Sequence, residues 1–209
     1  MRYLLDTNIL LRLAQRNHPM HKDARECLRV LLRRKDVLQV VPQIMFEFWV
    51  VATRPISSNG LGLTVEVVKR KLEEAESLFE LLQDTAAIYR EWLRLVHVYS
   101  VAGVGAHDAR IVAAMKTHAV THLLTFNSDD FKRFNKTEIT VSTPREILHP
   151  ASPSSWAFRL TQDETPFALY CEPLLQNGFV EFFPVVQVVE INGVFAGAGV
   201  IGQAIGAED

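Results

Sequence analysis

From the first residues to about position 148, short apolar runs alternate with longer stretches whose apolar residues recur at helical spacing. Tyr3-Leu4-Leu5 is the first run. It ends in Asp-Thr-Asn and predicts a buried strand entering a helix over 9–16, with Thr7 or Asn8 as the cap. Ala24, Cys27, Leu28, Leu31 and Leu32 share one face of a helix over 21–34. The β-rich Val37-Leu38-Gln39-Val40-Val41 stops at Pro42 as a second strand. A helix over 43–53 closes at Arg54-Pro55, because the residue before a proline avoids the helical region. Residues 56–63 are a Ser/Asn/Gly loop. Thr64 then caps a long helix reaching 82, followed by helices over 86–99 and 106–118. His122-Leu123-Leu124-Thr125-Phe126 and Ile139-Thr140-Val141 are the third and fourth strands, with a short helix over 144–148 after them. Strands separated by helices predict an α/β fold, a parallel sheet with helices on both faces.

The pattern changes after His149-Pro150. Phe179-Val180-Glu181-Phe182 and the run from Val185 to Ile191 read as strands, and Asn192-Gly193 is a hairpin turn signal. This β-rich segment either adds a ribbon to the body or stays partly disordered. Charge marks the same boundary. Residues 1–149 carry 21 basic and 17 acidic side chains, a balance of +4, whereas residues 150–209 carry Arg159 alone against seven acids. Five of the nine prolines and six of the ten glycines also fall in this last part. The chain therefore divides into a body, 1–148, and an acidic Pro/Gly-rich extension of unknown role, 149–209.

With Cys27 and Cys171 as its two cysteines, the chain has neither a disulfide framework nor a cysteine-based zinc site, and suits a reducing compartment. An acid at position 6 comes too early for a signal-peptide apolar region. The longest apolar stretch, 179–205, is cut by Glu181, Pro184, Glu190 and Asn192. A soluble, cytoplasmic protein that does not enter a membrane is the expectation.

Candidate chemistry lies where strands end. Asp6 follows the first strand, Glu47 sits on the first turns of the helix after the second, and Asp108 opens the helix over 106–118. After the third strand comes Thr125-Phe126-Asn127-Ser128-Asp129-Asp130-Phe131. In an open α/β sheet the carboxyl ends of the strands share one edge, and ligands bind in the crevice there. Oxygen-bearing side chains at 6, 47, 108 and 127 could meet at that edge, and clustered carboxylates with hard oxygen donors suit Mg²⁺ or Mn²⁺. Each acid also has a plainer reading: Asp6 and Asp108 as helix N-terminal acids opposing the macrodipole. Glu47 resists it, because Ile44, Met45, Phe46, Phe48, Trp49, Val50 and Val51 surround it in sequence, and a charge among core formers needs a partner or a metal.

Leu4-Leu5-Asp6-Thr7-Asn8, Glu47 on its helix, His107-Asp108-Ala109 and Leu124-Thr125-Phe126-Asn127-Ser128-Asp129-Asp130-Phe131 resemble, in order, the four signature regions of PIN domains. The resemblance is greatest to the VapC-like ribonuclease toxins of toxin–antitoxin modules and covers residues 1–148. It implies a PIN-like nuclease domain that hydrolyses RNA phosphodiester bonds with Mg²⁺, or Mn²⁺ in its place. Asp6, Glu47, Asp108 and Asn127 would be its catalytic residues, with Asp6, Asp108 and Glu47 as metal ligands and Thr7 and Thr125 orienting the carboxylates. A cognate antitoxin and a homodimer are further implications. Arg12, Arg16, Arg110, Lys132 and Arg133 are candidates to contact the RNA backbone. At the fourth position many members carry Asp where Asn127 stands, so the charge there is missing unless Asp129 or Asp130 replaces it.

Other signals carry less. Gly197-Ala198-Gly199-Val200-Ile201-Gly202 matches a dinucleotide fingerprint but has no second strand and acid after it. Asp6-Thr7-Asn8 resembles the start of haloacid-dehalogenase-type phosphatases, which need a carboxylate where Asn8 stands. A PIN-like module without catalysis, binding RNA or protein, is the alternative that Asn127 favours and the three intact acids oppose.

Overall fold

In a computed structural model of the chain, which describes residues 1–150, each predicted strand and helix of the body is present, with small shifts at the ends. The elements are β1 (Arg2–Leu5), α1 (Thr7–Ala14), α2 (His21–Arg33), β2 (Val37–Val40), α3 (Pro42–Thr53), α4 (Val65–Leu78), β3 (Glu80–Leu81), α5 (Ala86–Val98), α6 (Gly105–Thr117), β4 (His122–Leu124), β5 (Thr140–Ser142) and α7 (Pro144–Leu148). The reading of 151–209 as strands and a hairpin lies outside the described residues.

The five strands form one parallel sheet in the order β3-β2-β1-β4-β5. Leu4 and Leu5 of β1 pair with Leu123 and Leu124 of β4, and all four are fully buried. The chain first steps outward from β1 through β2 to β3, then crosses back to β4 and β5 on the other side. With right-handed crossovers, the two directions of travel put helices on both faces. The reversal falls between β1 and β4, so their carboxyl ends flank the crevice of the fold.

Packing explains the elements on either side. α2 buries Ala24, Cys27, Leu28 and Leu31, and packs against α1 and α7. Each buried leucine contributes about 1.5–3 kcal/mol relative to an exposed one. α6 is buried nearly all round, through Ala109, Ile111, Val112, Ala113, Ala114 and Met115. α3 ends where expected, with Arg54 extended ahead of Pro55. Gly60 closes the loop beyond it: a Cβ there would lie 2.0 Å from the Arg54 carbonyl oxygen.

Two expectations change. The helix from Thr64 stops at Leu78 instead of reaching 82, and Glu80–Leu81 form the edge strand β3. Phe79 is extended and buried, Leu82 is buried, and the Leu82 amide donates to the Val40 carbonyl at 2.9 Å. Pairing with β2 overrides a local sequence that suits a helix equally well. At the other change, α1 starts at Thr7 and its cap is Asp6, which is extended (φ −73, ψ 156) and accepts from the Thr7 amide. Thr7 and Asn8 are helical residues whose side chains serve elsewhere.

Candidate functional site

Asp6 stands on the crevice between β1 and β4. Its amide donates to the Leu124 carbonyl at 2.9 Å, which extends the β1–β4 ladder up to the carboxylate. The side chain is 7% exposed and all its partners among the described residues are neutral donors. The Thr7 amide reaches Oδ1 at 2.7 Å, and Asn8 Nδ2 and Thr125 Oγ1 reach Oδ2 at 2.6 Å each. Burial pushes the Asp6 carboxyl up to about 6; the Thr125 and Thr7 bonds oppose the rise, and the charges of Glu47 and Asp108 add to it.

Glu47 reaches this region from α3. Gln43, one turn earlier, donates to its Oε1 at 2.8 Å, and Thr7 Oγ1 donates to its Oε2 at 2.7 Å. The apolar residues that flank it in sequence do not enclose it. Phe46 is 65% exposed and Val50 half exposed, because a helix turns about 100° per residue and α3 buries Ile44, Met45, Phe48 and Ala52 instead. Glu47 thus lies at the margin of the core, open on one side.

Asp108 lies in the first turn of α6. Its carboxyl is also pushed up to about 6, first by burial and then by the charges of Asp130 and Glu47, against the smaller pull of His107 and Arg133. Asp130 comes from the 3₁₀ turn Ser128–Phe131 after β4, and Asn127 Nδ2 donates to its Oδ2. The Asn127 amide donates to Thr125 Oγ1 at 2.9 Å. Asn127 is therefore tied between Thr125 and Asp130, and Asp130 brings the negative charge that Asn127 lacks.

Charge and donor chemistry fit a hard cation. Among the described residues no Lys or Arg ion pair neutralises Asp6, Glu47 or Asp108. Their oxygens are the type that Mg²⁺ and Mn²⁺ prefer. Among those residues, however, no three His, Cys, Asp or Glu side chains are gathered closely enough to hold an ion by themselves. The acids share an electrostatic field and not a closed cage.

Of the basic candidates, Arg110 is committed within the fold, donating to Gln43 Oε1 at 3.0 Å and to Asp84 Oδ2 at 2.8 Å. Arg12 donates to Gln15 and Lys132 pairs with Asp129, while Arg133 lies near Asp108. Arg16 lines a shallow surface depression with Gln15, Asn17, His18 and Pro19. Gln43 and Asn8 are the residues that sequence reading missed as parts of the site. Asn8 joins Asp6, Thr125 and the Phe126 amide. For Gln43 the available signal was its spacing, four residues ahead of Glu47 on one helix.

Acids at the switch point of a parallel β3-β2-β1-β4-β5 sheet define an α/β protein with an acidic crevice. Residues 3–137 match the PIN domain family, and this chain belongs to it. Solved structures share the fold. A chain of VapBC2 from Rickettsia felis, bound to a DNA fragment from its promoter, is 18% identical with a TM-score of 0.51, covering 68% of this chain and 98% of its own. A chain of FitAB bound to the IR36 DNA fragment is 15% identical with a TM-score of 0.51, covering 68% and 94%. No curated protein matches by sequence. Among the described residues no helix is long and apolar enough to cross a membrane.

Proposed function

We propose that this chain is a metal-dependent ribonuclease and the toxin of a toxin–antitoxin pair. The observation that supports this most is that Thr7 and Gln43 tie Asp6, Glu47 and the backbone leading to Asp108 together at the sheet's switch point, with no Lys or Arg ion pair to these acids among the described residues. Asp6 and Asp108 are the ligands we assign to Mg²⁺, or Mn²⁺ in its place, with Glu47 completing the acidic set. Mg²⁺ keeps several waters, so acids spaced more widely than a closed cage still serve it. When bound, the cation supplies Lewis-acid stabilisation of phosphate charge and makes water more acidic.

Glu47, clamped at both oxygens by Gln43 and Thr7, is placed to orient the attacking water and take its proton. Thr125 and Asn8 fix the Asp6 carboxylate. Asn127 keeps its side-chain oxygen for a water and its second amide proton for a substrate phosphate, while Arg133, near Asp108, and Lys132 beside it in sequence serve the RNA backbone. In this reading the products carry 5′-phosphate and 3′-hydroxyl ends. A cognate antitoxin, a homodimer and a cytoplasmic location belong to the same proposal.

The neutral Asn127 at the fourth position favours one other reading, a non-catalytic RNA- or protein-binding module. One assay separates the two: cleavage of mixed RNA with Mg²⁺ or Mn²⁺, with chelator, and with Asp6→Asn and Glu47→Gln. Metal-dependent cleavage lost in both variants supports the nuclease. Full-rate cleavage by Asp6→Asn sinks it.

A further inference from the structure

Four side chains link the acidic crevice to the protein surface. Glu47 Oε1 accepts from Gln43 Nε2 at 2.8 Å, Gln43 Oε1 accepts from Arg110 Nη1 at 3.0 Å, and Asp84 Oδ2 accepts from Arg110 Nη2 at 2.8 Å. Gln43 Nε2 has a second proton, and it goes to the His107 carbonyl at 3.0 Å. Both amide protons and the amide oxygen are thereby used, and Gln43 is only 7% exposed. The amide has one tolerable orientation. Turned over, it would set its oxygen against a carboxylate and a carbonyl, and its nitrogen against a guanidinium.

The second bond determines the consequence. His107 immediately precedes Asp108, so Gln43 ties the helix carrying Glu47 to the backbone that carries Asp108. These two carboxylates repel, and neither forms an ion pair with a Lys or Arg among the described residues. We infer that Gln43 is a positioning residue which sets the Glu47–Asp108 separation, with Arg110 and Asp84 as an outer brace that locks its amide.

This deepens the nuclease proposal and rests on it, since the separation matters because a divalent cation must be served by both acids. Groups that orient metal-binding carboxylates typically change metal affinity 10–100-fold when removed. The brace also explains why Arg110 is spent on the protein and not offered to RNA.

The test measures Mn²⁺ binding to the full chain by the electron paramagnetic resonance of free Mn²⁺, with RNA cleavage kinetics alongside. Gln43→Met keeps length and packing but removes the amide; we expect Mn²⁺ affinity to fall about tenfold or more. Arg110→Met releases the amide oxygen and should give a smaller loss in the same direction. Its side chain is 36% exposed, so the fold does not depend on it, and it decides the matter if Gln43→Met fails to fold. Gln43→Met added to Glu47→Gln should weaken binding no further, because the two act through one carboxylate. Wild-type Mn²⁺ affinity in Gln43→Met, in Arg110→Met, or full additivity with Glu47→Gln overturns the inference while the nuclease stands. A wild-type chain that neither binds Mn²⁺ nor cleaves RNA overturns both.

Discussion

Thr125 Oγ1 donates to Asp6 Oδ2 at 2.6 Å, joining the ends of β4 and β1 across 119 positions of sequence. The same hydroxyl oxygen accepts from Asn8 Nδ2 and from the Asn127 amide, both at 2.9 Å. One fully buried oxygen therefore ties three parts of the crevice together.

Thr125→Val keeps the shape and removes the hydroxyl. The Asn127 amide loses its acceptor, and Asp6 Oδ2 and Asn8 Nδ2 each lose one of two bonds and keep the one between them, so we expect a loss of about 1–3 kcal/mol in urea unfolding. RNA cleavage should fall about 10–100-fold, as for other residues that orient metal-binding carboxylates. A variant with wild-type stability and rate would show that the junction is not needed.

The raised carboxyls of Asp6 and Asp108 are expected to contribute less stability to the metal-free protein at neutral pH than in mild acid. Both groups bind a proton more tightly folded than unfolded, so stability falls as pH rises from their ordinary value near 3.8 to about 6, and levels off above. With chelator present, their contribution should lower the melting temperature between pH 4.5 and 7. Mg²⁺ should raise it at pH 7 more than at pH 4.5. Differential scanning calorimetry at the two pH values, with and without Mg²⁺, checks both statements.

Removing one repelling charge should relieve the same strain. Asp108→Asn is expected to stabilise the metal-free protein at pH 7 by about 1 kcal/mol while abolishing Mg²⁺ stabilisation. Thermal melts in chelator and in Mg²⁺ would show it, and a destabilised variant would mean that Asp108 has a structural partner.

Glu138 provides a control away from the crevice. It is 11% exposed on its side chain and accepts from Arg94 at 2.8 Å, Lys116 at 3.2 Å and Tyr99 at 3.2 Å, tying α5 and α6 to the segment before β5. Burial works against its charge, yet the Arg94 and Lys116 bonds hold its carboxyl below the ordinary value. Glu138→Ala should cost about 1–3 kcal/mol at pH 7 and leave cleavage rate per folded molecule unchanged. Its contribution disappears in acid, as the carboxyl is protonated.

Strand and helix identities along the body were legible from the chain alone, because burial imposes a period of two or near four on apolar residues whatever the final fold. Leu4-Leu5 as a strand, the stop at Arg54-Pro55 and the ordered acids at 6, 47 and 108 all follow from local pattern and spacing. What local pattern cannot hold is a relation between distant parts. Glu80–Leu81 became a strand through pairing with β2, not through any preference of its own. Asp6 is the cap because the β1–β4 ladder holds its backbone extended, which leaves Thr7 for Glu47 and Asn8 for Asp6 and Thr125. The clamp of Gln43 on Glu47, and the charge that Asp130 brings beside Asn127, depend on where whole helices and turns are packed. Hydrogen bonds require partners within about 3 Å, and only the assembled sheet and its helices bring groups so far apart in sequence that close.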